Sequence, residues 1–157
     1  RILCVMRGSN GGSKDPDCKL PGTRWWCVSA DGGYHWTKPE PWTYDDGQTF
    51  FSPSSMSQLL KHSSGRVFWI GNLCATNPLA NDPRHPLVIG QVDPKTLGLI
   101  RQSVLVVDDK KPEEAGLNLS HFWGMEDRET GDIVIAGARY SQGYKETHPH
   151  LWRIGAE

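Results

Sequence analysis

The chain has 157 residues, with 17 Lys and Arg against 18 Asp and Glu, a formal net charge of -1 at pH 7, and 37% hydrophobic residues. This length and composition predict one globular domain with a hydrophobic core and exclude a disordered tail. The charge excludes a basic surface of the kind that binds nucleic acid, and the apolar runs reach about half of the roughly 20 residues that a membrane helix requires.

Glycine and proline are abundant, with 17 Gly and 11 Pro, which favours short elements joined by tight turns. Short apolar or alternating runs, typical of strands, recur along the chain, and no long stretch has helical spacing. In chain order the predicted strands are Ile2–Arg7, Arg24–Ser29, Ser55–Leu60, Val67–Asn72, Leu87–Val92, Ile100–Val107, Ser120–Glu126, Ile133–Arg139 and Leu151–Ile154. The sequence therefore predicts an all-β fold, with antiparallel hairpins at the Asp-Gly and Ser-Gly turns.

An internal repeat groups these strands. Ser55–Leu60, a tight turn and Val67–Asn72 match Ser120–Glu126, a tight turn and Ile133–Arg139, at an offset of about 66 residues that exceeds the roughly 40 to 50 of common propeller blades. The repeat predicts about three blades of a β-propeller, at approximately 1–50, 51–110 and 111–157, with loop insertions. A β-sandwich is the alternative, because it has a similar number of strands.

The segment Ser29 to Trp36 fits the pattern Ser-x-Asp-x-Gly-x-x-Trp, with Ser29, Asp31, Gly33 and Trp36 at the matched positions. This is the Asp box (BNR repeat), and on it the chain resembles the sialidase (neuraminidase) superfamily of six-bladed β-propellers. Asp31 is expected to accept turn N–H groups, Gly33 to permit a left-handed backbone, and Trp36 to be buried under the turn. The motif indicates fold rather than function, because in that family this turn lies away from the active site.

Two arginines extend the resemblance. Sialidases hold the substrate carboxylate with three arginines, since a guanidinium is a planar fork of donors that keeps its charge. Arg7, at the end of a strand before the Asp box, and Arg84, in the loop after Gly71-Asn72, match the second and third of these. Both are predicted substrate-binding residues on one rim and facing one concavity. The alternative for each is a solvated loop arginine that pairs with a nearby carboxylate.

The sequence departs from the family at the position of the catalytic nucleophile, which in sialidases is a Tyr activated by a Glu. The equivalent place holds Ser120-His121-Phe122, so His121 is the candidate acid or base and is expected to face the propeller axis. Glu126 is the candidate catalytic carboxylate, with Asp127 beside it. The alternatives are a hydrogen-bonded histidine without chemistry and a local surface ion pair. Tyr140 is the other phenol near the same rim.

The resemblance implies a sialidase-like exo-glycosidase that acts on a glycan or acidic sugar, without a cofactor or metal and with only part of its active site in this chain. The alternative is a non-catalytic glycan-binding or protein-interaction propeller. The chain is expected to be a piece of a longer protein, with the remainder of the propeller outside it. A secreted or periplasmic location is expected, although the 4 cysteines, with no CxxC pair, leave the redox compartment open.

Overall fold

The structure is a computed structural model that describes residues 1–141 and 147–155. These residues form strands and one short 3-10 helix, Arg101–Ser103. The strands are β1 (Ile2–Arg7), β2 (Arg24–Ser29), β3 (Glu40–Pro41), β4 (Gln58–Lys61), β5 (Val67–Asn72), β6 (Leu87–Val92), β7 (Leu105–Asp108), β8 (Asn118–Glu126), β9 (Ile133–Tyr140) and β10 (Thr147–Ile154). The all-β prediction is confirmed. Among the described residues, no helix has the length and apolar character needed to cross a membrane.

The strands form three antiparallel sheets, and each sheet is a meander of strands consecutive in the chain. The first sheet is β1-β2-β3, the second β4-β5-β6-β7 and the third β8-β9-β10. The predicted hairpins β4–β5 and β8–β9 turn at Gly65 and Gly131, where φ is +85° and +75°. Glycine adopts this left-handed conformation without the clash that a Cβ introduces.

The second sheet is packed on both faces. Successive side chains of a strand point to opposite faces, so Trp69 and Ile70 of β5 enter different cores. Trp69 packs in a cluster with Trp42 and Phe50, against which the first-sheet residues Leu3, Val5 and Trp26 lie. Ile70 packs in the other cluster, with Leu119, Phe122, Ile133 and Ile135 of the third sheet. The three sheets therefore stack in chain order.

The sheets have two distinct ends. β1, β5 and β9 all run toward one end, called here the Arg7 end, where Arg7 lies opposite Arg24. The other end, called the Asp31 end, carries the tight turns of the β4–β5 and β8–β9 hairpins together with the turn that follows Ser29. Long loops connect β1 to β2 and β5 to β6 at the Arg7 end, and the second of these loops carries Arg84.

The Asp box forms a hydrogen-bonded turn at the Asp31 end. Ser29 Oγ accepts the Gly33 N–H at 2.8 Å, and Asp31 Oδ1 accepts the His35 N–H at 3.0 Å. The prediction that Trp36 is buried is wrong, because its side chain is 44% exposed. The small turn covers only part of the indole, whose Nε1–H donates to Gly33 O at 2.9 Å. The Asp box therefore organises its own turn without placing Trp36 in the core.

Candidate functional site

A layer of buried polar residues joins the three sheets at the Arg7 end. Arg24 of β2 donates from Nε to Ser52 Oγ at 2.8 Å and from Nη1 to Ser55 O at 2.7 Å. Ser55, which precedes β4, donates from Oγ to Asn72 Oδ1 at 2.8 Å. Asn72, at the end of β5, donates from Nδ2 to Leu119 O in β8 at 3.0 Å. This polar layer therefore holds together the segments that carry the predicted site.

Arg24 places a positive charge inside this layer. Its side chain is fully buried and lies over the Trp69 ring, 5.7 Å from the ring centroid. Burial lowers the pKa of Arg24 to about 10, and the positive charge of Arg7 contributes to the same shift. The guanidinium stays protonated at neutral pH, and within residues 1–141 and 147–155 it makes no salt bridge to a carboxylate. Its charge therefore adds to the positive potential near Arg7.

Arg7 is exposed and lines a small cavity at its end of the sheets. The cavity has a volume of about 220 Å³, and its walls are Val5, Arg7, Arg24, Ser55, Met56 and Ser57. The donors of Arg24 and Ser55 are buried and engaged within the polar layer, so Arg7 and Ser57 are the wall residues with accessible polar side chains. The guanidinium of Arg7 suits an anionic oxygen group. The walls of this cavity do not include Arg84, so a single concavity shared by Arg7 and Arg84 stays a prediction.

Arg84 lies in the loop between β5 and β6 and is held by three hydrogen bonds. Its Nη1 donates to the hydroxyl of Tyr140 at 3.0 Å and its Nε donates to Asn81 O at 3.1 Å. Its own carbonyl accepts the Leu119 N–H at 2.8 Å. The described part of the chain gives neither Arg84 nor Arg7 a salt bridge with a carboxylate. Within the described residues, Arg84 thus does not form the surface ion pair that was the alternative to a substrate-binding role.

His121 lies next to Tyr140, whose hydroxyl accepts the hydrogen bond from Arg84. The His121 and Tyr140 rings are 5.5 Å apart between centroids, and Tyr140 is buried at the end of β9. His121 is exposed and has a φ of 58°, at a bulge where the β8–β9 register shifts. Bulges re-aim side chains, and this one turns His121 toward the loop end of the sheet. Arg84, His121 and Tyr140 are called the Tyr140 cluster below.

Glu126 is not part of this arrangement. It ends β8 at the Asp31 end, five residues from His121, which corresponds to roughly 16 Å along a strand. Glu126 Oε2 accepts the Ser63 N–H at 2.8 Å, and Oε1 lies 3.4 Å from His62 Nε2. The hydrogen bond from Ser63 lowers the pKa of Glu126. The structure therefore does not bring Glu126 to the arginines or to His121, and its contacts fasten two neighbouring turns.

The described residues contain no group of three or more His, Cys, Asp or Glu side chains that could hold a metal ion. Comparison of the chain with protein-family models, with curated proteins and with solved structures found no match in any of the three. The geometry of the Arg7 end is therefore the basis on which a function can be argued.

Proposed function

We propose that the Arg7 end binds an anionic glycan, with Arg7 and Arg84 as ligands of a sugar carboxylate, in a protein of the sialidase-like type. The observation that carries this proposal is that both guanidinium groups stand at the same end of the stacked sheets without a carboxylate partner among the described residues. A guanidinium with no internal counterion is a ready partner for an external carboxylate.

The Arg84 side chain is oriented for such a contact. Its Nε and Nη1 are engaged by Asn81 O and the Tyr140 hydroxyl. These bonds hold the plane of the guanidinium, and no acceptor for Nη2 is seen among residues 1–141 and 147–155, so this nitrogen is the proposed donor to a ligand oxygen. Arg7 brings a second positive charge, reinforced by the buried Arg24 behind it. An acidic sugar gains more at this end than a neutral sugar of the same shape.

The propeller assignment belongs to the same proposal. Three meanders that stack in chain order are what successive blades look like, and the proposed blades 1–50, 51–110 and 111–157 each contain one sheet. The hydrogen-bonded Asp box supports the resemblance to sialidases, while the exposed Trp36 is a departure from it. Further sheets would close the ring.

Glycoside hydrolysis of the sialidase type needs an acid and a nucleophile near the bound sugar. Tyr140 and His121 are the groups of the Tyr140 cluster with suitable chemistry, since one carries a phenol and the other an imidazole. The second candidate function is a binding module without catalysis. The position of Glu126 at the Asp31 end favours it, because the expected carboxylate is about the length of β8 away from the arginines.

The test compares N-acetylneuraminic acid with its methyl ester, which lacks the negative charge. Calorimetric titration of the protein is expected to show the acid binding more tightly than the ester. Arg84→Ala should lower the affinity for the acid on the order of 10- to 100-fold and leave the affinity for the ester nearly unchanged, because hydrogen bonds to charged groups contribute about 1.5–3 kcal/mol.

Arg66→Ala is the matched control, because Arg66 follows the β4–β5 turn at the Asp31 end. It should bind both sugars like the wild type. Equal affinity for acid and ester, or an equal loss in both arginine variants, would overturn the carboxylate site. Turnover of a fluorogenic sialoside that is lost in Tyr140→Phe or His121→Ala would select the enzyme, and binding without turnover would select the binding module.

A further inference from the structure

Two cysteines lie opposite each other in the first sheet. Cys4 of β1 is the register partner of Cys27 of β2, and this ladder runs from Ile2 to Arg7 in a single register. Directly opposite residues of antiparallel strands place their side chains on the same face of the sheet. The fold thus brings together two thiols that a long loop separates in the chain.

The hydrogen bonds of β2 show which kind of pair the cysteines form. The carbonyl of Val28 accepts the Thr37 N–H at 2.9 Å, on the side of β2 that faces away from β1. Backbone groups alternate in direction along a strand, so those of Cys27 point toward β1 and Cys27 forms a hydrogen-bonded pair with Cys4. The Cα atoms of such a pair lie about 5.5 Å apart. Disulfides most often join Cα atoms about 5.5–6 Å apart, so the backbone spacing fits a disulfide.

The Cys27 thiol is close enough to affect the ionisation of Cys4. Cys27 is buried and Cys4 is half-buried. Burial raises the pKa of the Cys4 thiol, and Cys27 raises it further through its charge and through a side-chain hydrogen bond. The hydrogen bond between the two thiols means that no other side chain separates the sulfurs.

The pair lies on the face of the first sheet that points away from the second sheet. Leu3 and Val5, on either side of Cys4, and Trp26, next to Cys27, pack against the core cluster between these two sheets. Side chains alternate between the two faces of a strand, so both thiols point to the opposite face. A bond between the sulfurs therefore leaves this core unchanged.

The other two cysteines are placed differently. Cys18 lies in the loop between β1 and β2, and Cys74 follows β5. Neither is the ladder partner of another cysteine in the part of the chain that the structure describes. Burial raises the pKa of Cys74 to about 11, and a thiol with a raised pKa is a poor nucleophile at neutral pH because little thiolate is present. The geometry thus selects one pair of cysteines.

We propose that Cys4 and Cys27 form a disulfide bond that locks β1 to β2 when the protein meets an oxidising environment, with oxidised glutathione as the oxidant. One cysteine thiolate attacks a sulfur of oxidised glutathione and releases one reduced glutathione. The other thiolate attacks the resulting mixed disulfide, forms the bond between Cys4 and Cys27, and releases the second reduced glutathione. The two cysteines lose two electrons, which reduce the glutathione disulfide, and their protons end on the two glutathione thiols.

The bond closes the segment 5–26 into a loop, and this segment carries Arg7. A cross-link removes conformations from the unfolded chain, so we expect the oxidised protein to melt about 5–10 °C above the reduced protein. The disulfide uses no group of the anionic-glycan site, so either proposal can fail alone.

The test incubates the folded, reduced protein with a mixture of oxidised and reduced glutathione and then blocks the remaining thiols with N-ethylmaleimide. Trypsin separates the 4 cysteines into different peptides, because a Lys or Arg lies between each successive pair, and mass spectrometry identifies the linked peptides. We expect the link between Cys4 and Cys27 in about tenfold excess over every other link that includes either residue, because the fold sets these two sulfurs opposite each other.

The same mixture in concentrated urea is the reference. Loop closure in an unfolded chain favours partners that are near in sequence, so Cys27 should then link to Cys18 more often than to Cys4. The comparison separates a disulfide that the fold selects from one that chain proximity alone selects.

Cys4→Ser should abolish both the link and the rise in melting temperature on oxidation. Cys18→Ser is the matched control, because Cys18 is also half-buried, and it should keep both. Three results would overturn the proposal. They are absence of the link between Cys4 and Cys27 in the folded protein, the same distribution of links with and without urea, and a rise in melting temperature that persists in Cys4→Ser.

Discussion

Arg84 donates a hydrogen bond from Nη1 to the hydroxyl of Tyr140 at 3.0 Å, across 56 positions of sequence. The bond links a long loop of the second sheet to the last residue of β9 in the third sheet. Because its donor is charged, it is stronger than a bond between neutral groups. Tyr140 therefore sets the direction in which the Arg84 guanidinium points.

Tyr140→Phe removes this bond while it keeps the aromatic ring in the core. We expect the free energy of unfolding to fall by about 1–2 kcal/mol, since the bond has a charged donor and lies partly out of water. Urea denaturation measures the change. Tyr34→Phe is the control, because Tyr34 is 86% exposed, and it should change stability by less than about 0.5 kcal/mol. Equal losses in the two variants would contradict the assignment.

Asn72 is the centre of the polar layer, and Asn72→Ala should be among the most destabilising substitutions at the Arg7 end. Its amide accepts from Ser55 Oγ and donates to Pro86 O and Leu119 O, and the side chain is fully buried. Truncation leaves those partners unsatisfied and should cost about 2–4 kcal/mol in unfolding free energy. Asn81→Ala serves as the comparison, because only the backbone carbonyl of exposed Asn81 bonds Arg84; a similar loss there would show that the layer is not the cause.

Asp31 should make the free energy of unfolding depend on pH in the acid range. Its hydrogen bonds, first that from the His35 N–H, lower the pKa of Asp31 to about 2 from its ordinary 3.8. A carboxyl whose pKa is lower in the folded state stabilises the fold above pH 3.8, and this contribution disappears as the pH falls through about 2.

In Asp31→Asn this contribution is absent at every pH. Urea midpoints of the variant and the wild type, measured from pH 5 to pH 2, should therefore differ most at pH 5 and converge as the acid is added. Curves that run parallel over this range would show that the Asp31 carboxylate does not stabilise the turn.

The strands were predictable because alternation and glycine turns are local signals. The strand predicted at Ile100–Val107 was partly wrong, since a 3-10 helix occupies its first half. There Ser103 Oγ donates to Ile100 O at 2.7 Å and accepts the Gln91 N–H at 2.8 Å, which replaces ladder bonds. β3, at Glu40–Pro41, was missed because two residues that include a proline carry no strand pattern.

The site was predictable only in part. Arg7, Arg84 and His121 were identified by their positions relative to strands and turns. Glu126 was predicted to be a catalytic residue together with His121, to which it is near in sequence, but β8 is extended and separates its ends. The hydrogen bond between Arg84 and Tyr140 joins residues far apart in the chain, so no local sequence pattern predicts it. Arg24 was given no role in the predicted site, because its burial depends on partners in another sheet.

The stacking in chain order has a consequence for how the molecule loses its structure. The two hydrophobic cores lie on opposite faces of the second sheet, and none of the described residues belongs to both. Stability in such a series is close to a sum of neighbouring interfaces, as in repeat proteins. The second sheet belongs to both interfaces, so we expect its amides to exchange with solvent more slowly than those of the first and third sheets.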